Sequence, residues 1–273
     1  MEALSGQDLG DPWPAGLNAA IRSTAEDIAT VLREAADTTV RVPGSQWSVG
    51  EAAAHLALAN ELMAHLAEGK ERPYGDGTPT GLAEANEAAL SAFAERGAEP
   101  LAAMIVKQAE AFLDAAARPG PRGELATPMG PMSVETLGSY LLTHMLGHGY
   151  DLARALDRPH MVTPARVELT VPFLLMAMPR VLNTAVTTGF TARYTIRLRG
   201  GTRFGTTFTN GIAAVGPQPP SRPDCTILTE PVAFLLMALG RLGPWHALAR
   251  GGVLAWGRKP WLAPRFPALF SPP

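Results

Sequence analysis

Apolar residues recur three and four positions apart along most of the chain before Pro164, a spacing typical of amphipathic helices. Ser48 and Glu51 have the spacing of a capping box, and Ser133 stands as an N-cap at the start of a later helix. Five helices are predicted, at residues 14–37, 48–67, 81–96, 99–117 and 133–156. This part of the chain should form a bundle of four to five helices, in which metal sites are built from side chains on facing helices.

Beyond Pro164 the pattern changes to short alternating runs, which favour strands. Before the strands begin, residues 165–188 are predicted to form one more helix, which is kinked or restarted at Pro172 and Pro179. The glycine-rich segment 200–202 separates two alternating runs and predicts a hairpin. Strands are predicted at 191–199, 203–208, 225–229 and 253–257, and helices at 231–241 and 260–270.

Length and composition agree with a globular protein of two domains. The chain has 273 residues, and we predict an α+β fold with a helical bundle over residues 1–160 and a small α+β domain over residues 161–273. Its 47% hydrophobic and 18% charged residues are typical of globular proteins. A net charge of −2 provides no basic field for nucleic acid.

The single cysteine, Cys225, lies in a predicted strand, where we expect a buried and inert thiol. A sulfur nucleophile, if the protein uses one, should therefore come from a small molecule. Residues 1–13 lack the apolar run of a signal peptide, and apolar runs such as Val232–Leu239 are too short to cross a membrane. The sequence thus predicts a cytoplasmic protein with no membrane partner.

The main chemical signal is a pair of histidines, His144 and His148, in the last helix of the bundle. Residues four apart share one helix face, so both imidazoles could bind one divalent metal. Asp151 returns to the same side and could accept the second N–H of a ligand imidazole. Two hydrogen-bonded core histidines would give the same pattern, so a third ligand is needed. His55, on the inward boundary of the second helix, is the natural candidate, although a lone histidine there is more often structural.

Two segments resemble the mycothiol-dependent maleylpyruvate isomerase family: residues 47–56, WSVGEAAAHL, and residues 144–154, HMLGHGYDLAR. Residues 224–257 are similar to the sterol-carrier-protein-like domain of that family, with the segments DCTI, LMALGR and GGVLAWG. The resemblance covers nearly the whole chain from about residue 14. It implies a DinB-like four-helix bundle followed by a small sterol-carrier-like α+β domain.

The resemblance also implies that His55, His144 and His148 bind a metal ion, with zinc the usual occupant. Some family members have glutamate at the position of His144, so this chain has an all-histidine set. Such a set suits Zn²⁺, Fe²⁺ or Ni²⁺ better than Mg²⁺ or Ca²⁺, and three ligands leave one coordination position open. Family members use that position to activate the thiol of mycothiol, an actinobacterial cofactor, and the composition is compatible with an actinobacterial source.

A metal-bound thiolate could attack an electrophilic small molecule with either of two outcomes. Retention of the adduct gives S-transfer, of the kind that mycothiol S-transferases perform, and its expulsion after a bond rotation gives cis–trans isomerisation. We predict the S-transferase, because the all-histidine set departs from the isomerase pattern with glutamate. The Pro-rich loop Val215–Pro223 also suggests a specialised acceptor. Isomerisation of the maleylpyruvate type is the alternative.

Cationic residues at element ends of the second domain are candidates for binding anionic groups. We predict Arg241 and Asp151 as catalytic residues, with Arg241 the first candidate for binding the substrate anion, and Arg258 and Lys259 as residues that bind the thiol cofactor. For each cation, a solvated surface role is the alternative. Arg154 is expected to pair with Asp151, three residues away.

A non-enzymatic protein that binds a lipid-like ligand is a further alternative. Five residues suit either an apolar pocket or a plain core: Phe173, Leu174, Leu175, Met176 and Met178. A third possible function is that of a helical bundle that has lost catalysis and serves in regulation or assembly. The intact spacing of the three histidines argues against it. Three tryptophans are expected in the core or on cleft walls: Trp245, Trp256 and Trp261. Three other histidines are expected at the surface, His65, His160 and His246, and the protein should be a monomer or a homodimer.

Overall fold

The computed structural model describes residues 13–70, 72, 74–76, 79–118 and 123–271. These residues divide into two compact units. The first runs up to Arg41 and from Ser45 to Leu141, and the second contains Val42–Gly44 and the residues from Leu142 onward. The division falls inside one continuous helix, Val134–Ala155. The domain boundary after residue 160 stays a prediction.

The described residues of the N-terminal half form five helices, as the spacing of its apolar residues predicts. They are α1 (Leu17–Arg33), α2 (Val49–Ala67), α3 (Pro79–Ala92), α4 (Ala98–Ala116) and α5 (Val134–Ala155). Helix α4 packs against both α1 and α2, and α3 packs against α2. Ile28, Leu56 and Phe112 are among the fully buried side chains at these contacts. Burial of one apolar stripe per helix supplies the main stabilisation of the bundle.

The predicted capping box at the start of α2 is confirmed. The Ser48 hydroxyl accepts a hydrogen bond from the Glu51 amide at 3.3 Å, and Glu51 Oε2 accepts one from the Ser48 amide at 2.7 Å. These bonds from Ser48 lower the pKa of the Glu51 carboxyl. The predicted cap at Ser133 is also confirmed, since its hydroxyl accepts from the Thr136 amide at 3.2 Å. Both helices that carry the candidate ligands therefore have defined starting points.

A glycine lets α5 pack closely within the first unit. A Cβ atom at Gly138 would lie 3.1 Å from Leu17 Cδ2 and 3.6 Å from Phe112 Cε1. Because the distance to Leu17 is shorter than an ordinary van der Waals contact, a larger residue would require α5 or the Leu17 side chain to shift. The absence of a side chain at Gly138 thus allows α5 to pack closely against Leu17 and Phe112.

The segment predicted as one helix over residues 165–188 is broken into short pieces. They are α6 (Pro164–Glu168), α7 (Val171–Ala177), a 3-10 turn (Met178–Arg180) and α8 (Thr184–Thr187). Pro172 lies in the first turn of α7 and Pro179 lies in the 3-10 turn. The predicted restarts at these two prolines are confirmed, because proline has no N–H for an interior helical hydrogen bond.

A mixed five-stranded sheet forms the centre of the second unit. Its strands are β1 (Ala192–Leu198), β2 (Arg203–Thr209), β3 (Ile212–Gly216), β4 (Cys225–Thr229) and β5 (Val253–Trp256). The order is β3-β2-β1-β4-β5, with β1 and β4 parallel and the other neighbours antiparallel. The remaining elements are α9 (Pro231–Ala238), α10 (Pro244–Ala249) and two 3-10 segments (Pro260–Arg265 and Pro267–Leu269).

One face of this sheet is covered by aromatic and aliphatic side chains. Tyr194 and Phe204 are fully buried on neighbouring strands. The ring of Tyr194 packs 4.9 Å from that of Phe266, and the ring of Phe204 packs 5.8 Å from that of Phe234 on α9. These contacts hold α9 and the C-terminal 3-10 segments against the sheet.

The sequence predictions for this unit differ from the structure at three places. The segment from Val215, predicted as loop, begins inside β3, where Val215 pairs with Thr206. Helix α10 was not predicted. The predicted closing helix over residues 260–270 is 3-10 in character, because Pro264 and Pro267 cannot donate helical hydrogen bonds.

The three tryptophans expected in the core or on cleft walls are largely exposed, so a core position is wrong and a position on a cleft wall stays a prediction. Trp245, Trp256 and Trp261 have exposures of 67%, 43% and 65%. The surface positions expected for His160 and His246 are confirmed, and both are exposed. Among the described helices, none is both long and apolar enough to span a bilayer.

Candidate metal centre

Helices α2 and α5 carry the three histidines singled out by the sequence. His55 lies in the second turn of α2 and is buried. His144 and His148 lie one turn apart on α5, with ring centroids 4.5 Å apart, and both are half-buried. The predicted common face of the two α5 histidines is therefore confirmed, and the folded chain brings His55 to them.

The arrangement fits a single metal ion. Each of His55, His144 and His148 offers one imidazole nitrogen, and the three nitrogens lie within 4.8 Å of one another. In a tetrahedral zinc site with Zn–N bonds of about 2.0–2.1 Å, ligand nitrogens are about 3.4 Å apart. Small side-chain rotations would close that difference. Three imidazoles without a carboxylate form a set of the type used by borderline transition metals.

Burial keeps His55 in the form that binds metals. Desolvation lowers the pKa of His55 to about 4, so its imidazole is neutral at pH 7 and one of its ring nitrogens carries no proton. The Trp47 ring packs against it, with centroids 4.8 Å apart. The sequence reasoning assigned Trp47 no role, although an apolar residue just before the Ser48 N-cap is the position that packs back onto a helix start.

Asp151 is held in an ion pair with Arg241. Arg241 Nε donates to Asp151 Oδ1 at 3.2 Å, and Nη2 donates to Oδ2 at 2.7 Å. The same Oδ2 atom lies 3.9 Å from His148 Nδ1, which is beyond hydrogen-bond distance. The predicted pairing of Asp151 with Arg154 is wrong, because Arg154 is exposed and the carboxylate is occupied by Arg241. The structure thus brings both predicted catalytic residues to the side of His148.

The two predicted cofactor-binding cations lie together after β5. Lys259 Nζ is 3.5 Å from Asp224 Oδ1, and the Lys259 amide donates to the Asp224 carbonyl at 2.8 Å. Arg258 is exposed. Among the described contacts, neither cation meets the three histidines or Asp151. A role for Arg258 and Lys259 in binding mycothiol stays a prediction.

Tyr140 is another residue of α5 to which the sequence analysis assigned no role. It precedes His144 by one helical turn on α5, so the same four-residue spacing extends from Tyr140 through His144 to His148. Burial raises the pKa of Tyr140 to about 12, so its phenol stays protonated at neutral pH.

An apolar cavity lies within the second unit on the buried face of the sheet. Ile196, Ile227 and Val253 line its sheet side, and Phe234, on α9, and Leu248, on α10, lie among its other lining residues. The residues predicted for an apolar pocket, in the segment from 173 to 178, are not in this lining. Of that set Phe173, Leu174 and Met178 are buried, as expected of core residues.

Fold and site together define an α+β protein with a histidine cluster on the helices of an N-terminal bundle. Residues 17–153 match the family model described as the mycothiol maleylpyruvate isomerase N-terminal domain, and this match spans half of the chain. The protein therefore belongs to the mycothiol maleylpyruvate isomerase family, a family of mycothiol-dependent enzymes. The resemblance found in the sequence is thereby confirmed.

One solved structure supports the same fold. The crystal structure of a mycothiol-dependent maleylpyruvate isomerase with one histidine replaced by alanine aligns with a TM-score of 0.50. It has 14% sequence identity, over 88% of this chain and 91% of that one. A second crystal structure of a mycothiol-dependent maleylpyruvate isomerase aligns over the same shares of the two chains, with 16% sequence identity and a TM-score of 0.46. No curated protein sequence matches the chain significantly.

Proposed function

We propose that the protein is a metal-dependent enzyme that activates the thiol of mycothiol for attack on an electrophilic small molecule. The observation that carries this proposal is the meeting of three imidazoles from α2 and α5 within 4.8 Å. Membership of a mycothiol-dependent family supports the choice of thiol. His55, His144 and His148 would hold the ion, and zinc is the ion we propose.

The properties of the ligands and of Cys225 agree with this chemistry. Three neutral imidazoles leave the full charge of a divalent ion uncompensated, and a bound ion of this kind favours the thiolate form of a coordinated thiol. Cys225 is fully buried, and burial raises the pKa of its thiol to about 11. It is the one cysteine of the chain, so the nucleophilic sulfur has to come from the small thiol.

We propose S-transfer as the outcome. In this reaction the sulfur–carbon bond forms, the leaving group departs with its bonding electron pair, and the thiol proton passes to solvent. The all-histidine cluster supports it, since glutamate at the position of His144 belongs to the isomerase pattern. The Pro-rich loop does not support it, because Val215 and Gly216 belong to β3, and Gln218 and Pro219 lie close to Gly205 of β2.

Cis–trans isomerisation is the second candidate, and the family match favours it. Here the thiolate adds to a double bond, and the electron pair moves onto the conjugated carbonyl group. Rotation about the resulting single bond and expulsion of the thiolate then give the trans isomer. Mycothiol is regenerated in each cycle, whereas S-transfer consumes it.

Product analysis separates these reactions. The zinc-loaded protein is incubated with mycothiol and either maleylpyruvate or monochlorobimane, and the products are identified by liquid chromatography and mass spectrometry. Enzyme-dependent formation of a mycothiol conjugate supports S-transfer, and conversion of maleylpyruvate without loss of mycothiol supports isomerisation. Turnover that persists after removal of the metal, or that needs no thiol, would refute the proposed function.

A further inference from the structure

The ion pair of Arg241 and Asp151 joins the end of α9 to the metal-binding part of α5. Arg241 contacts both carboxylate oxygens, at 3.2 Å and 2.7 Å. A two-point contact fixes the plane of the carboxylate as well as its position, which the point charge of a lysine does not. The side chains of Arg241 and Asp151 are only 20% and 15% exposed, so solvent screens the pair incompletely.

The backbone at the end of α9 holds Arg241 in place. Gly240 adopts a left-handed conformation with φ of 73°, and the Arg241 amide donates to the Leu236 carbonyl at 2.7 Å. A glycine in this conformation commonly ends a helix and satisfies its last carbonyl groups. In addition, Arg241 Nη1 donates to the Leu239 carbonyl at 2.5 Å. The guanidinium therefore projects from a well-anchored helix end.

The same helix end touches α5 next to His148. A Cβ atom at Gly147 would lie 3.1 Å from Leu239 Cδ1, so the glycine permits a close approach of the two elements. Gly147 and Asp151 are one turn apart on α5 and share a face. The end of α9 thus contacts α5 at two successive turns, and His148 lies between these contacts in the sequence.

We propose that Arg241 is a positioning residue, which holds the Asp151 carboxylate as the orienting partner of His148 and so strengthens metal binding by the histidine cluster. With Oδ2 of Asp151 at 3.9 Å from His148 Nδ1, a small ring rotation brings an Nδ1–H group within hydrogen-bond distance. A carboxylate in this position fixes the tautomer and the orientation of a ligand imidazole. The inference rests on the proposed metal centre, and it replaces the direct substrate contact predicted for Arg241 from sequence.

Metal affinity tests this role without using turnover. Dissociation constants for Zn²⁺ are measured by competition with a chromophoric chelator, using the metal-free full chain and its Arg241→Met, Arg241→Lys and Asp151→Asn variants. We expect Arg241→Met and Asp151→Asn each to weaken binding roughly 10- to 100-fold, and Arg241→Lys to restore only part of the loss. The double variant Arg241→Met/Asp151→Asn should bind no more weakly than the single variants, because all remove one shared contact. Arg197→Met removes an exposed arginine of β1 and should leave the affinity unchanged.

Two results would overturn the positioning role. One is unchanged zinc affinity in Arg241→Met together with a raised KM for the electrophile, which would indicate that Arg241 binds the substrate directly. The other is a double variant in which the two losses add. If the wild-type protein binds no zinc, the metal centre itself fails, and the inference with it. Circular dichroism verifies the fold of each variant, and Arg241→Lys and Asp151→Asn provide the comparison if Arg241→Met does not fold.

Discussion

The three histidines illustrate what spacing along a chain does and does not reveal about a site. His144 and His148 are four residues apart, so helix geometry alone predicts their ring contact. His55 lies far from them along the chain, so local spacing cannot reveal it. Its position on the inward boundary of its helix, together with the family resemblance, indicated it as the third ligand. Local spacing likewise missed the partner of Asp151. Sequence spacing offers a local partner, whereas Arg241 is 90 residues away along the chain.

The low pKa of His55 makes the metal-free protein sensitive to acid. On unfolding, this pKa returns from about 4 to its ordinary value of 6.5. Between pH 4 and pH 6.5, the unfolded chain therefore binds a proton on His55 that the folded protein does not bind. The neutral His55 stabilises the folded state fully above pH 6.5. As the pH falls towards 4, the free energy of unfolding decreases by up to about 3 kcal/mol on account of this residue. Urea unfolding of the chelator-treated protein at pH 7 and at pH 4.5 measures the loss. His55→Leu should show a shallower dependence on pH, and identical slopes in the two proteins would contradict this assignment.

Cys225 should be chemically silent. Its thiol is fully buried, and the raised pKa of about 11 keeps it protonated at pH 8, where thiolate is the reactive form. We expect iodoacetamide to leave the native protein unmodified over hours and to alkylate it once it is unfolded, as intact mass will reveal. Cys225→Ala should keep its mycothiol-dependent turnover. Fast alkylation of the native chain, or loss of turnover in Cys225→Ala, would show that the chain supplies its own sulfur.

At the scale of elements, the sequence was informative wherever periodicity and end signals coincided. Helix α2 has a continuous apolar stripe and a capping box, and its start at Val49 agrees with the prediction. Strand β3 has neither signal: Ile212–Gly216 is short, contains two alanines and leads into a proline-rich segment. Its place in the sheet comes from pairing with β2. Pairing of this kind is a tertiary contact and overrides weak local preference.

A pair of facing glycines tests how the Pro-rich loop is held. Gly205 in β2 and Gly216 in β3 are register partners. A Cβ atom at Gly205 would lie 2.7 Å from the Gln218 carbonyl oxygen, whereas one at Gly216 would meet nothing within 4 Å. Gly205→Ala should therefore lower the free energy of unfolding by about 1–3 kcal/mol, and Gly216→Ala should leave it within about 0.5 kcal/mol of the wild type. Urea denaturation followed by circular dichroism compares the two, and equal effects would argue against the close packing of the loop on Gly205.

For the whole molecule, the order of elements was enough to predict the fold class. A run of periodic helices followed by short alternating segments indicates segregated helices and strands, which is the α+β arrangement. The strand order β3-β2-β1-β4-β5, with its parallel β1–β4 pair, could not be predicted, because it depends on a long crossover between strands that are not consecutive. The histidine cluster, by contrast, was expected from the spacing of His144 and His148 and from the family resemblance, and the chemistry proposed for the molecule depends on it.

The number of zinc ions bound per chain tests most directly whether the histidine cluster is a metal site. The purified protein is incubated with excess Zn²⁺, freed of unbound metal by gel filtration and analysed by inductively coupled plasma mass spectrometry. His246, an exposed residue of α10, provides the matched control. We predict a single tightly held ion in the wild type and in His246→Ala, and loss of most of it in His148→Ala. Retention by His148→Ala of as much zinc as the wild type holds would contradict the account.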